Sequence, residues 1–197
     1  MKTALVFGLV MLLGLVRVNV VQAQEGAIND VRATVQRLVE IVEALSGDSN
    51  RPERRIKLRE VISERFDFDE MAKRSLGPQW AKITPEEQTE FVRVFSNLLA
   101  KTYMNRVEKV TRDMVKVESE NLDFPKSVVK SKVISDGSVF PLDYRLQNVN
   151  GTWKVYDVII ENIGLVANYR NEFAGIIRSS GFAGLMDGLK KKIDGAA

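Results

Sequence analysis

Between Ile28 and Leu45 the apolar positions Ile28, Val31, Val35, Leu38, Val42 and Leu45 recur three and four residues apart, the spacing that lays one stripe along a helix. Gly47 and Asp48 end it. The stripe also suits a coiled coil, but it runs for under three heptads, so packing against its own domain is the expectation and self-association the alternative. A second helix is predicted from Pro52 to about Glu64, with Ile56, Leu58, Val61 and Ile62 set among Arg51, Arg54, Arg55, Lys57 and Arg59. Asp67 and Glu70 form a capping-box-like start for a third, which Gly77-Pro78 stops. Thr84-Pro85-Glu86-Glu87 is the sharpest local signal, with a hydroxyl cap, Pro at the first helical position and a carboxylate at the third. The long helix after it carries Phe91, Val94, Phe95, Leu98, Leu99, Thr102, Tyr103 and Val107 on one face and fades near Lys109 to Asp113.

From there the period changes to two. Val115 and Val117 open a short strand, Ser127 to Ser135 forms a second, Val139 to Gln147 a third and Thr152 to Asn162 a fourth. Asp136-Gly137 and Asn150-Gly151 between them are hairpin turns, so the four strands make an antiparallel meander. In the third strand Phe140, Leu142, Tyr144 and Leu146 share a face opposite Asp143, Arg145 and Gln147. The fourth is apolar on both faces, as in a strand covered twice or strongly curved. Leu165 to Arg178 and Phe182 to Ile193 read as two closing helices punctuated by Gly181. The fold class is therefore α+β, a curved four-stranded antiparallel sheet packed with helices in one domain.

Composition narrows the chemistry. Among 197 residues there is neither Cys nor His, which removes thiol nucleophiles, disulfides, thiolate or imidazole metal sites and Ser-His-Asp triads. An enzyme would have to use carboxylates, Lys, Tyr or hydroxyls. Residues 1–23 read as a signal peptide: Lys2, the apolar run Ala4 to Val16, and a small-residue cleavage pattern at Val21-Gln22-Ala23. The run is too short to span a bilayer, which needs about 20 residues. Cleavage after Ala23 leaves residues 24–197 as the mature, exported domain. It removes Lys2 and Arg17 and no acid, so 27 of the 29 bases remain against 26 acids, and no nucleic-acid footprint survives.

Helices on the concave side of a curved sheet enclose either a solid core or a cavity, and periodicity alone does not distinguish them. A catalytic reading would need Asp143 or Asp157 in such a cavity as a base, with Tyr103, Tyr144 or Tyr156 as a hydrogen-bond donor. Strand parity argues against Asp143, which lies opposite the apolar face. No phosphate-binding Gly loop, metal-ligand cluster or nucleophile elbow is present in the sequence, and no cofactor is expected. The basic runs Arg51 to Arg59 and Lys190 to Lys192 fit solvated helix faces, or a surface for anionic lipid or an acidic partner.

Phe66-Asp67-Phe68-Asp69-Glu70-Met71-Ala72, Leu76-Gly77, Trp80 and Thr84 to Gln88 with Phe91, Phe95, Leu98, Leu99 and Tyr103 resemble the MlaC family of periplasmic phospholipid-binding proteins, the toluene-tolerance auxiliary proteins. Leu142-Asp143-Tyr144, Trp153 to Val158, Asn168 to Phe173 and Gly181 to Lys190 are similar to it as well. The resemblance implies an NTF2-like or cystatin-like fold and a monomeric, non-catalytic carrier that shuttles phospholipid between outer and inner membranes to maintain lipid asymmetry. Its implied partners are an inner-membrane ABC transporter with an MCE-domain protein and an outer-membrane lipoprotein complex. By the same likeness Tyr103, Phe140, Leu142, Tyr144 and Ile163 fall at pocket walls; Val133, Val155, Val158, Val166, Tyr169 and Phe173 join them on apolar spacing. Where the family commonly has Glu-Gly-Val-Ser after the last strand, this chain has Glu161-Asn162-Ile163-Gly164, so the pocket rim is expected to differ. Related carriers are associated with hopanoids, which keeps a second lipid class open, as does a small NTF2-like cavity enzyme.

Overall fold

The computed structural model describes residues 26–135 and 137–195. The signal-peptide expectation, its cleavage after Ala23, and Asp136 of the first hairpin turn lie outside the described residues. Five helices and one sheet follow in the order α1 (Ile28–Ala44), α2 (Arg51–Arg65), α3 (Phe68–Leu76), α4 (Pro85–Val107), β1 (Val115–Asp123), β2 (Lys126–Ser135), β3 (Ser138–Val149), β4 (Thr152–Ile160), β5 (Ile163–Gly164) and α5 (Leu165–Asp194). A 3-10 segment, Gly77–Lys82, joins α3 to α4. The strands are antiparallel and neighbour one another in chain order.

Local chemistry fixes the helix starts. Asp67 accepts from the backbone N–H of Glu70, and Thr84 and Glu87 close a reciprocal capping box with Pro85 in the first turn. Two other helices lack a cap of their own and take one from the sheet. Glu120 on β1 accepts from Ala27 N–H at 2.6 Å at the head of α1. Asp157 on β4 accepts from Val166 N–H at 3.0 Å at the head of α5. Each places a carboxylate where the helix dipole and free N–H groups favour negative charge. Gly181, at φ 71° and ψ 179°, kinks α5, which accounts for the two closing helices expected there.

The sheet corrects the four-stranded expectation in two places. Glu161 and Asn162, at φ 49° and 68°, make a tight turn that folds Ile163–Gly164 back onto β4 as a fifth strand. Asn162 stands where the resemblance leads one to expect Gly, and Asn is the other residue type that adopts this backbone readily. Strand β1 also runs on to Asp123, well past Val117, as a largely exposed ladder whose side chains, apart from the exposed Leu122, are polar on both faces. Backbone pairing to β2 holds it without apolar alternation.

Two apolar regions lie between sheet and helices. One is solid: Phe91 and Phe95 of α4 meet Tyr169 and Phe173 of α5, with ring centroids 5.2 to 5.8 Å apart. The other is hollow.

Candidate functional site

A cavity of about 1010 Å³ lies under the concave face of the sheet, roofed by α1, α2 and the second half of α4. Its sheet wall follows from register. Val133 pairs with both Val115 and Phe140, Leu142 with Ile160, and Tyr144 with Val158, so cross-strand neighbours present one continuous apolar surface. A bulge opposite Arg145 and Leu146 inserts Tyr156 into β4. It shifts the parity of the strand, so that Val155, Val158 and Ile160 all reach the cavity. The extra residue carries its ring under the guanidinium of Arg74, 4.4 Å away.

The helical wall uses the stripes read from sequence. Val31, Val35 and Leu38 of α1 and Leu99, Tyr103 and Val107 of α4 face inward. The α1 stripe thus packs against its own domain, with Val31 buried and Val35 and Leu38 half-buried, as the packing expectation has it. Charged groups sit at the edge: Arg59, Arg65, Arg106, Lys109 and Glu161. Arg65 is held by Asp30 at 2.9 Å and by the Trp153 carbonyl at 2.6 Å. Ile163, 62% exposed, projects from the β4–β5 turn at the rim.

The phenols behave as apolar wall. Burial pushes the Tyr144 hydroxyl up to about 12, and Ser131 hydrogen-bonds it while also donating to the Leu142 carbonyl. Burial likewise raises Tyr103, and raises Tyr169 to about 12; these two hydroxyls hydrogen-bond each other. All three are neutral at any pH near 7, so none offers a phenolate to chemistry. Among the described residues no group of three or more carboxylates is placed to hold a metal ion.

Of the residues singled out from sequence, Tyr103, Phe140, Leu142, Tyr144, Ile163, Val133, Val155 and Val158 line the cavity. Val166, Tyr169 and Phe173 do not. Val166 is buried at the start of α5, and Tyr169 and Phe173 belong to the solid aromatic core, where period-3.6 apolar spacing looks the same as it does on a cavity wall. Tyr169 reaches the cavity only through its bond to Tyr103. Neither candidate base lines the cavity. Asp157 is buried against Val166 N–H and Arg145, 3.1 Å away, and Asp143 lies opposite the wall that Leu142 and Tyr144 form. Met104, Phe66, Phe68 and Met71 were not singled out, although they line the cavity. Met104 is adjacent to the α4 stripe, whereas the other three fall at a helix junction where periodicity breaks.

A curved antiparallel sheet and a helical roof around a large oily cavity with charge confined to its edge define a protein built to enclose an apolar ligand. The chain belongs to the MlaC protein family, whose sequence profile matches residues 32–191. It is 29% identical over 143 residues to the toluene tolerance protein ttg2D of Pseudomonas putida, covering 71% of this chain and 64% of that one. It is 21% identical over 122 residues to the intermembrane phospholipid transport system binding protein MlaC of Haemophilus influenzae, covering 59% and 57% respectively. The matches thus span less than two thirds of either relative. A solved phospholipid-binding protein from Ralstonia solanacearum, in complex with a phospholipid, superposes with a TM-score of 0.76 at 28% identity, over 86% of this chain and 98% of that one.

Proposed function

We propose that this protein is a non-catalytic phospholipid carrier of the periplasm, exported by a signal peptide at residues 1–23 and shuttling lipid between the outer and inner membranes. The observation that carries the reading is the apolar cavity of about 1010 Å³ in a member of this family. Taking a methylene at roughly the volume of a water molecule, ~30 Å³, the cavity accommodates on the order of thirty methylenes, about two acyl chains. The headgroup then stays at the charged rim. Tyr103, Phe140, Leu142, Tyr144, Val133, Val155 and Val158 contact the chains, and Ile163 covers them at the edge.

Magnitude supplies the reason for a carrier. Each buried CH₂ contributes about 0.8 kcal/mol, so two chains of about 15 carbons lose on the order of 20 kcal/mol on entering water. Unaided release is correspondingly slow, and handover requires a partner that opens the cavity or continues its apolar path. An inner-membrane ABC transporter with an MCE-domain protein and an outer-membrane lipoprotein complex are the partners this reading implies. Native mass spectrometry of gently purified protein should show phospholipid at one per chain. Protein that arrives empty and takes up no labelled phospholipid from vesicles would refute the reading; bound lipid of another class, such as a hopanoid, would revise the ligand and keep the cavity.

A further inference from the structure

Outside the cavity, α2 and α4 meet along a seam with an unusual chemistry. Arg51, Arg55 and Arg59 stand four residues apart on α2, and Asn97, Lys101 and Asn105 stand four apart on α4, so two ridges face each other. Arg59 donates to Asn97 at 2.7 Å, Arg55 to Asn105 at 2.6 Å and Arg51 to Asn105 at 3.4 Å. An amide oxygen fixes the direction of a guanidinium without cancelling its charge. The carboxylate in the seam, Glu108, is buried and shared by Arg51, Arg54 and Arg55 at 3.5, 3.2 and 2.8 Å. With Lys101 counted on one side and Asp48 on the other, five cations face two acids. The local excess of three cations exceeds the single net positive charge of residues 24–197.

All of these residues except Arg54 and Glu108 line a groove of about 910 Å³ whose floor includes Pro52, Ala100, Met104 and Ile193. Ile56, on the neighbouring turn of α2, is 61% exposed. Basic walls over an apolar floor complement an amphipathic helix with acidic flanks, whereas a flat bilayer surface would meet only the walls. Arg59, Ala100 and Met104 line both this groove and the cavity, so the partition between them is one layer of side chains thick.

We propose that the α2–α4 groove docks an acidic, amphipathic segment of a partner protein, which competes for the seam arginines and thereby loosens the cavity wall. The docking half stands on the groove alone; the loosening half rests on the carrier reading. The probe is a fluorescein-labelled helical peptide of about 15 residues built from Leu, Ala and Glu, added to the full mature chain. The peptide binds, and its affinity falls as salt rises. The double variant Arg59→Gln/Lys101→Gln, which removes the two seam cations that have no carboxylate partner among the described residues, weakens binding about tenfold or more. Lys57→Gln/Lys73→Gln, elsewhere on the surface, leaves it unchanged. Equal binding by the folded double variant, or capture of the protein by anionic phosphatidylglycerol vesicles and not by the peptide, overturns the docking claim. In the second arm the peptide accelerates transfer of labelled phospholipid from loaded protein to neutral vesicles severalfold, and an unchanged rate overturns the loosening. A protein that cannot be loaded would count against the carrier reading, and the first arm would still decide the docking.

Discussion

Tyr144→Glu places a carboxyl in the wall at the point where β3 pairs with Val158 of β4. When acyl chains fill the cavity, the new group must either remain ionised without water or take up a proton. Protonation is the less costly route and sets a ceiling on the penalty. An unperturbed Glu has a pKa of about 4.3, so holding it neutral costs about 3.7 kcal/mol at pH 7 and about 1 kcal/mol at pH 5. The sign follows from linkage: the loaded state raises the pKa, so loading is penalised above pH 4.3 and recovers as pH falls. Lipid affinity should drop by as much as roughly 500-fold at pH 7 and roughly fivefold at pH 5. The assay incubates the variant with vesicles of labelled phospholipid at both pH values and reads occupancy by native mass spectrometry, with circular dichroism confirming the fold. Lys130→Glu and Lys191→Glu, on exposed positions, retain lipid at both. Parental occupancy of Tyr144→Glu at pH 7, or a loss that does not recover at pH 5, would refute the assignment of this wall.

Asp157→Ala should lower unfolding free energy by about 3 kcal/mol, because it strips the cap from α5 and leaves Arg145 unpaired, while Asp157→Asn loses about half of that since its amide oxygen still accepts from Val166. Urea midpoints check this, and losses under about 1 kcal/mol in both variants would contradict the capping role. Glu161→Asn should raise stability by up to about 1 kcal/mol, since Asn tolerates the positive φ of 49° better than Glu does; a lower melting temperature would contradict the turn assignment. Amide hydrogen exchange should be faster along α1 and α2 than along the α4 and α5 segments that share the aromatic core. Equal protection would show that the roof is no looser than the base.

Where one residue or its nearest neighbours decide the geometry, the sequence was legible. The capping box at Thr84 and Glu87 needs only four residues, and the Asn150-Gly151 turn, at φ 51° and 86°, only two. Parity in β3 identified Phe140, Leu142 and Tyr144 as one apolar face because that stretch of the strand has no bulge, and the family resemblance made that face a wall. It failed in β4, where the inserted Tyr156 puts Val155 and Val158 on the same side despite odd spacing. Strand β5 was missed because two residues carry no period, and most of β1 because its hydrogen bonds are made by backbone while its side chains are solvated. Val166, Tyr169 and Phe173 mark the deeper limit. An apolar stripe records which side of a helix leaves water, and whether the opposite surface touches it depends on distances between elements far apart in the chain.

That limit is visible within one helix. The first half of α4 gives Phe91, Phe95 and Leu98 to a core closed by rings of α5, and its second half gives Leu99, Tyr103 and Val107 to empty space. The solid half ties α4, α5 and the sheet together with fully buried aromatics, each worth up to about 3 kcal/mol of transfer free energy. The roof is attached differently. The start of α1 joins the main core through Val31, but Val39, Leu58 and Val61, further along α1 and on α2, are buried outside that cluster, where the two helices pack against each other. The contacts of α2 to α4 run through arginines, asparagines and Glu108, and the buried Nε of Arg54 finds no hydrogen-bond partner there. Such charge-assisted bonds can exchange for water one at a time, at about 1.5 to 3 kcal/mol each, whereas separating the aromatic core would expose large apolar area at once. The end of α1 and the start of α2, which lie away from the core contacts of Val31 and from the bond of Arg65 to the Trp153 carbonyl, are therefore the part of the cavity wall expected to move with least cost to the fold, and the rigid half supplies the base against which it opens.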